Sequence, residues 1–328
     1  MPDLFDLTII GGGPSGLYAS YYAGFRSMKV KIIDSLEELG GQVTALYPEK
    51  LIFDVAGFPK IFGKDLVKNL VEQGLQYKPA VCLGEKVVML KTNPDKTFDL
   101  LTHKGTHHAS RAVLITLGVG AFNPKRIPIP NAEAFEGKGL AYFVPDITRY
   151  DKKKVVIIGG GDSAVDWALN LYPRAASVTL VHRRDGFRAH EESVRQLKES
   201  PVALKLFYEV KELRGKDHVE SAVIFNNKTK AEETLPADEV LGCLGFEASV
   251  GPLAEWGLTL QGNDIPVTTR METNLPGVYA AGDVAAYAGK VKLIACGFGE
   301  AAVAVNNAAA YLNPGASVFP GHSSNQSK

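Results

Sequence analysis

The sequence has few cysteines, no excess of charge of either sign and no long apolar run. Its three cysteines, Cys82, Cys243 and Cys296, lie far apart and form no CxxC pair, which argues against a disulfide scaffold or a zinc ribbon and fits a reducing compartment. The 36 basic side chains balance 36 acidic ones, which excludes a polybasic nucleic-acid binder. No run reaches the roughly 20 apolar residues that cross a bilayer, and the first residues lack the basic region followed by an apolar region that predicts a signal peptide. We therefore expect a soluble, cytoplasmic protein without a nucleic-acid partner, a membrane partner or a metal site.

Glycine, by contrast, is abundant, with 33 residues in 328, and it clusters in a repeated motif. Asp6–Gly16 reads DLTIIGGGPSG, and Lys154–Ala164 reads KVVIIGGGDSA. Each copy is a β-branched run, a glycine turn and an alanine-rich helical pattern, followed by a second apolar run at Val30–Ile33 or Ser177–Val181. Two such strand–turn–helix–strand units, roughly 150 residues apart, predict an α/β fold with two Rossmann-like dinucleotide-binding domains.

An antiparallel β insert is predicted in each half. The strand patterns are Val87–Lys91, Phe98–Thr102, His107–His108, Val219–Asn226 and Glu232–Pro236. Each insert returns to a strand that ends at a glycine, Ala112–Gly118 and Glu239–Gly245, where we expect the chain to pass between domains. A last strand-and-glycine unit, Gly277–Asp283, precedes a helix predicted over Gly299–Leu312, and its natural partner is the first nucleotide.

The first motif predicts a site for a nucleotide without a 2′-phosphate. Gly11, Gly13 and Gly16 follow a strand and open a helix, which is the context that a G-x-G-x-x-G motif needs. These glycines permit the tight turn, the close approach of the pyrophosphate and the packing of the helix on the strand, while the helix N-terminus faces the phosphates. Asp34 ends the second strand, where an acid hydrogen-bonds a ribose diol and rejects a 2′-phosphate.

The second motif has arginines where the acid would stand, and guanidinium groups suit a 2′-phosphate. Its candidate NADP(H) residues are Gly159, Gly161, Asp162, Ser163, Ala164, His182, Arg183, Arg184 and Arg188. One site that rejects a 2′-phosphate and one that selects it predict FAD together with NADPH. The FAD-binding domain would comprise residues 1–118 and 245–328, and the NADP(H)-binding domain residues 119–244.

Several motifs together resemble the thioredoxin-reductase family of two-domain flavoproteins. They are GGGPSG, GGQ at residues 40–42, GGGDSA, HRRDGFRA at residues 182–189 and GVYAAGD at residues 277–283, and they occur in the family's order. The family's disulfide reductases carry a redox CxxC just before the second glycine motif, whereas residues 141–148 read AYFVPDIT. Dithiol exchange needs two sulfurs next to the flavin, so reduction of thioredoxin is excluded.

The chain is similar to a cysteine-free branch of that family with a C-terminal extension, the thioredoxin-reductase-like ferredoxin–NADP+ reductases. This resemblance implies a homodimer that transfers electrons between NADPH and ferredoxin or flavodoxin through FAD, without an acid–base catalytic residue. It implies that Tyr47 stacks on one face of the isoalloxazine and that His322 of the other subunit covers the opposite face. The FAD contacts that the first motif and the resemblance imply are Gly11, Gly13, Ser15, Gly16, Asp34, Gln42, Tyr47, Val87, Phe122, Asp283 and Ser324.

Two alternative functions stay open from the sequence. An NADPH-dependent reductase of low-molecular-weight disulfides would use one cysteine near the flavin, but relatives of that kind place it in the first glycine loop, where this chain has Ser15. A non-enzymatic flavin redox sensor would keep both nucleotide sites. For an electron carrier, Lys290 and Lys292 are the predicted basic docking rim. The N-terminus of the Gly299–Leu312 helix is expected to ease the negative charge of the reduced flavin.

Overall fold

The computed structural model describes residues 3–249 and 251–322, and the chain divides into two compact units. Unit 1 comprises Met1–Phe122 and Ala248–Lys328, and unit 2 comprises Asn123–Glu247. Both crossings lie a few residues after the domain limits drawn from the sequence at residues 118 and 245.

Unit 1 is built on a seven-stranded sheet. Its strands are β1 (Leu4–Ile10), β2 (Val30–Ile33), β5 (Ala80–Cys82), β6 (Val87–Thr92), β7 (Phe98–Thr102), β8 (His107–Ile115) and β20 (Val278–Ala280). Their order in the sheet is β5-β2-β1-β8-β7-β6, with β20 paired to β8. The pairs among β1, β2, β5, β8 and β20 are parallel, and β6 and β7 run antiparallel to their neighbours. Strand β8 joins what the sequence suggested as two strands, because its register with β1 continues through Ala109 to Ile115.

The remaining elements of unit 1 are four helices and two short strand pairs. They are α1 (Pro14–Phe25), α2 (Gln42–Leu46), α3 (Gly63–Gly74), α7 (Ile294–Leu312), β3 (Leu51–Ile52) with β4 (Ile61–Phe62), and β19 (Ile265–Pro266) with β21 (Ala285–Ala286). Helices α1 and α7 pack together through small side chains such as Ala19, Ala23, Ala301 and Ala304, which lie in one buried cluster.

Helix α7 begins earlier than the sequence predicted, at Ile294 rather than Gly299. Gly297 lies inside the helix, and a Cβ at this position would overlap the hydroxyl of Ser15. Gly297 therefore permits a close approach between α7 and the first glycine loop.

Unit 2 is built on a five-stranded parallel sheet with the order β10-β17-β11-β12-β13, accompanied by an antiparallel sheet β14-β15-β16. The strands are β10 (Leu140–Ala141), β11 (Lys154–Gly159), β12 (Ser177–His182), β13 (Ala203–Leu206), β14 (Tyr208–Arg214), β15 (Ser221–Asn226), β16 (Glu232–Pro236) and β17 (Glu239–Cys243), and the helices are α4 (Ala132–Phe135), α5 (Asp162–Leu171) and α6 (Glu191–Glu199). The chain passes between the units in two short strands, β9 (Ala121–Pro124) and β18 (Phe246–Ser249).

Each unit thus combines a parallel sheet, helices and an antiparallel insert, and the predicted fold class is confirmed. Apolar side chains bury on both faces of each parallel sheet, in two clusters per unit. Within residues 3–249 and 251–322, no helix is both long enough and apolar enough to span a bilayer.

Candidate cofactor sites

The first glycine loop joins β1 to α1. Gly11 has a φ of +111°, and a Cβ there would lie 2.5 Å from the carbonyl oxygen of Thr116. A Cβ at Gly16 would overlap the carbonyl oxygen of Gly11, so both positions require glycine. Helix α1 starts after Gly13 without a side-chain cap on its N-terminal N–H groups. These N–H groups are therefore available to a phosphate at the loop.

Asp34 follows β2 and ties that strand end to the glycine loop. Its Oδ2 accepts the N–H of Gly12 at 2.5 Å, and its Oδ1 accepts the N–H of Leu36 at 2.9 Å. Burial raises the pKa of Asp34, and these backbone hydrogen bonds oppose the rise. The carboxylate is thereby oriented at the mouth of the turn, where the sequence predicted contact with a ribose.

A second glycine loop, residues 40–42, packs against the first. Gly40 donates its N–H to the carbonyl oxygen of Gly12 at 2.9 Å, and a Cβ at Gly41 would lie 2.9 Å from the Cα of Gly13. Helix α2 starts at Gln42 and ends before Tyr47. The contact between the two loops therefore brings both Gln42 and Tyr47 to the same cleft.

The cleft of unit 1 encloses about 1170 Å³ of empty space, which includes the solvent at its mouth. Eight of the predicted FAD residues line it: Gly11, Gly13, Ser15, Asp34, Gln42, Tyr47, Val87 and Asp283. Gly16 lies buried beneath the loop. Phe122 lies in β9, but its side chain falls outside the described residues, as does Ser324. His322 is exposed, packs edge-on against Phe319 at 5.3 Å between ring centroids, and does not line the cleft of its own chain.

Tyr47 and Asp283 bring a phenol ring and a carboxylate to the cleft. Burial, together with the carboxylates of Asp283 and Asp54, raises the pKa of Tyr47 to about 12, so the phenol stays neutral. Asp283 follows Gly282, whose φ is +79° and where a Cβ would lie 2.8 Å from the Ser15 hydroxyl. Burial also raises the pKa of Asp283, and the ammonium groups of Lys290 and Lys292 oppose the rise.

The prediction of a basic docking rim is wrong for Lys290, and an ion pair within the chain offsets the charge of Lys292. The Lys290 side chain is only 7% exposed, and its ammonium pairs with the buried Glu300. Lys292 is 43% exposed and pairs with Asp264 at 2.9 Å. The folded chain supplies a carboxylate to each cation, so the two lysines do not form a free basic surface. The N-terminus of α7 does face the cleft, which Leu293 and Ile294 line, although it lies before the predicted Gly299.

Thr116 and Trp256 are two of the cleft residues that the sequence did not predict. Thr116 donates its hydroxyl to the carbonyl oxygen of Gly11 at 2.7 Å and so fixes the turn. The sequence could have indicated this residue, because it lies at the end of a predicted strand that stops at a glycine. Trp256 also lines the cleft and donates its indole N–H to the carbonyl oxygen of Val88 at 3.2 Å. It ends a short 3-10 helix, Gly251–Trp256, in which no apolar periodicity marks it.

The glycine loop of unit 2 repeats the geometry of the first. Gly159 has a φ of +152°, and a Cβ there would overlap the carbonyl oxygen of Cys243, as a Cβ at Gly11 would crowd Thr116. Helix α5 begins at Asp162 after Gly161, again without a side-chain cap. Ser163 and Ala164 follow in its first turn, as predicted.

Residues 182–190 form a loop that folds over this second turn. The His182 ring lies where a Cβ of Gly160 would be, stacks on Phe187 at 5.3 Å, and has Nε2 3.0 Å from the carbonyl oxygen of Gly186. Asp162 accepts the N–H of His190 at 3.1 Å. His182 and Asp162 therefore shape the loop around the second turn.

The predicted arginines of unit 2 are exposed beside the second turn. Arg188 donates its backbone N–H to the carbonyl oxygen of Gly160 at 2.8 Å, and Asn227 donates to the carbonyl oxygen of Arg183 at 2.8 Å. Within the described part of the chain, the guanidinium groups of Arg183, Arg184 and Arg188 have no ion-pair partner. The fold thus leaves three uncompensated cations near the predicted 2′-phosphate.

Comparison with known proteins places the chain in a family. The model of the pyridine nucleotide-disulphide oxidoreductase family matches residues 5–308. Ferredoxin–NADP reductase 2 of Shouchella clausii is 54% identical over 98% of this chain and 97% of its own length. Ferredoxin–NADP reductase of Symbiobacterium thermophilum is 52% identical over 99% and 98%, respectively.

Solved structures share the fold. Thioredoxin reductase of T. acidophilum is 26% identical, covers 94% of this chain and 98% of its own, and superposes with a TM-score of 0.80. The bacillithiol disulfide reductase of Staphylococcus aureus, at 18% identity, is similar in fold, with a TM-score of 0.73 over 94% of this chain and 98% of its own. The resemblance inferred from the motifs is confirmed: the chain belongs to the pyridine nucleotide-disulphide oxidoreductase family, in its ferredoxin–NADP reductase branch.

Proposed function

We propose that this protein is a flavoenzyme that transfers electrons between NADPH and ferredoxin or flavodoxin through FAD. The observation that carries the proposal is the cleft of unit 1, which combines the glycine loop, Asp34 and Tyr47 and has no cysteine among its described lining. The relatives that match almost the whole chain at 54% and 52% identity are named for this activity. FAD and NADP(H), the predicted cofactors, are confirmed by this family membership.

The residues of unit 1 fit FAD. The uncapped N-terminus of α1 offers N–H groups to the pyrophosphate, and the glycines leave room where a Cβ would stand. The oriented carboxylate of Asp34 accepts the ribose hydroxyls and repels a 2′-phosphate. Tyr47 offers a neutral ring for stacking on the flavin. When bound, FAD supplies the chemistry, since it accepts a hydride and passes on single electrons.

Unit 2 holds the NADP(H). Gly159 and Gly161 admit the pyrophosphate at the N-terminus of α5, and the free guanidinium groups bind the 2′-phosphate. Each unit thus binds one nucleotide. The 2′-phosphate distinguishes the two nucleotides: an acid in unit 1 repels it, and arginines in unit 2 bind it.

The same cleft argues against the alternative disulfide reductase. Ser15 occupies the loop position that would carry the cysteine, between Gly282 and Gly297, and it has no redox chemistry. Cys82, Cys243 and Cys296, none of which is in a disulfide, are not among the residues that line the cleft. A disulfide substrate therefore finds no thiol beside the flavin. The sensor alternative is disfavoured because the matched relatives are named as reductases.

The protein acts as a cytoplasmic homodimer in which the His322 ring of the partner subunit covers the flavin face opposite Tyr47. Supporting this arrangement, His322 is exposed and lies away from the cleft of its own chain. Light scattering of the purified protein tests the dimer, for which we expect twice the chain mass of 35.3 kDa.

Anaerobic stopped-flow spectroscopy tests the electron transfer. NADPH is expected to bleach the flavin absorbance of the purified yellow protein, and oxidised ferredoxin added afterwards is expected to restore it. A flavin that NADPH leaves oxidised would favour the sensor. A flavin that a low-molecular-weight disulfide reoxidises, and ferredoxin does not, would favour the disulfide reductase.

A further inference from the structure

Glu300 is the only charged residue of α7, and it is buried. Glycine, apolar residues and two asparagines make up the rest of this helix. Glu300 is 5% exposed, and its partner, Lys290, has a side chain that is 7% exposed. Burying two ions costs free energy of desolvation, which is recovered only when the geometry is good and further hydrogen bonds satisfy both groups. The contacts of this pair therefore indicate what it holds in place.

Glu300 gathers three donors from the segment that precedes α7. Its Oε2 accepts the backbone N–H of Gly282 at 2.8 Å. Its Oε1 accepts the hydroxyl of Tyr287 at 2.6 Å and the ammonium of Lys290. The hydrogen bond to Glu300 raises the pKa of Tyr287 to about 12, so the phenol remains a donor. One carboxylate of α7 thus holds the 282–290 segment through hydrogen bonds at both of its ends and at Tyr287.

The bond to Gly282 bears directly on the cleft. Gly282 adopts a φ of +79° against Ser15, and the next residue, Asp283, lines the cleft. Lys290 lies near enough to Asp283 to oppose the rise that burial causes in the pKa of that carboxyl. The buried cation of Lys290 therefore acts on two carboxylates, those of Glu300 and Asp283, and the more exposed Lys292 also acts on Asp283.

We propose that Glu300 and Lys290 are positioning residues for the flavin: Glu300 fixes the turn that presents Asp283, and Lys290 balances the negative charge beside it. The inference rests on the proposed FAD site in unit 1. It gives Lys290 a role inside the protein in place of the docking role that the sequence suggested.

The neighbouring pair of Lys292 and Asp264 provides a matched control. Lys292 lies two residues after Lys290, and the pair likewise joins an ammonium to a carboxylate, at 2.9 Å, but its side chains are 43% and 30% exposed. Solvent screens the charge of Lys292 both in this pair and toward Asp283, so its loss is expected to change FAD affinity less than about threefold.

The experiment measures two properties of the full-length holoprotein: the FAD dissociation constant, from recovery of flavin fluorescence on dilution, and the midpoint potential of the bound flavin. The variants are Lys290→Met, Glu300→Gln, the double variant and Lys292→Met. Each buried single variant is expected to weaken FAD binding at least about tenfold, because it leaves an uncompensated buried charge. The double variant, with no charge at either position, is expected to recover most of the affinity.

The potential separates a charge effect from a packing defect. Lys290→Met leaves an unbalanced negative charge near the flavin and is expected to lower the midpoint potential, since reduction adds negative charge there. Adding Glu300→Gln removes that excess and is expected to return the potential toward the wild-type value. A packing defect would not be repaired by a second substitution.

The proposal is overturned if the buried single variants weaken FAD binding no more than Lys292→Met, or if the double variant recovers neither affinity nor potential. Should the single variants fail to fold, Tyr287→Phe removes only one hydrogen bond to Glu300 and is expected to weaken FAD binding about two- to tenfold. An unchanged dissociation constant in that variant also overturns the proposal. A wild-type protein that binds no FAD would instead contradict the FAD site itself.

Discussion

We expect the choice of nucleotide to depend on Arg183 and Arg184. They are exposed and stand where Asp34 stands in unit 1. Replacing both with Ala is expected to raise the KM for NADPH and leave that for NADH nearly unchanged, because each charge-assisted hydrogen bond to the 2′-phosphate contributes about 1.5–3 kcal/mol. Steady-state ferricyanide reduction with each nucleotide measures the effect.

Arg195 provides the control for this change of charge. It is an exposed arginine of α6, and its guanidinium pairs with Glu192 and Glu199. Arg195→Ala is expected to leave the NADPH-to-NADH ratio at the parent value. If the double variant also keeps that ratio, the 2′-phosphate is bound elsewhere.

Tyr47 is expected to contribute through its ring and not through its hydroxyl. Tyr47→Phe should keep FAD affinity, whereas Tyr47→Ala should weaken it by at least the 0.5–1.5 kcal/mol that stacking contributes beyond burial, about tenfold at the upper end. Because the pKa of Tyr47 lies near 12, FAD affinity of the parent is expected to show no titration of this group between pH 6 and about 9. Equal affinities of the Phe and Ala variants would show that the ring does not stack on the flavin.

The C-terminal segment after α7 is hydrogen-bonded to the end of α1. Arg26, which follows α1, donates to the carbonyl oxygens of Ser317 at 2.9 Å and Val318 at 3.0 Å, and also to the side chain of Asn306. The C-terminal segment is therefore held to its own chain a few residues before His322.

Truncation after Phe319 is expected to leave FAD bound and to increase reoxidation of the reduced flavin by oxygen, because one flavin face loses its cover. Arg26→Ala is expected to give a smaller change of the same sign in the full-length chain and none in the truncated chain. Arg111→Ala, which loses a bond to Leu312 but none to the tail, is the control. Spectra and oxygen rates that do not respond to truncation would show that the tail takes no part in the site.

The elements also show where sequence patterns suffice and where they do not. Both glycine turns, with their strands and helices, could be predicted because the constraint is local: Gly11 and Gly159 need positive φ values beside a strand end. The start of α7 could not, because Gly297 reads as a helix break until Ser15 is seen to pack against it. The sequence likewise did not predict that Lys290 pairs with Glu300, although Glu300 is the only charged residue of its helix.

The whole molecule has a formal net charge of +0, so long-range electrostatic attraction of an acidic carrier is weak. The two lysines predicted to dock the carrier are paired within the chain. Recognition of the carrier therefore depends on a local surface that the sequence did not reveal. By contrast, the sequence predicted the division into two nucleotide-binding units, because the repeated glycine motif can be recognised without the structure.

The proposed function requires electrons to pass from NADPH through FAD to a small carrier protein. The most direct measurement is NADPH-dependent reduction of cytochrome c by the purified protein, with and without ferredoxin. We expect a low rate without ferredoxin and a rate that rises with ferredoxin concentration to saturation, while low-molecular-weight disulfides are not reduced. A rate independent of ferredoxin, together with steady NADPH oxidation by a disulfide, would contradict the proposed function.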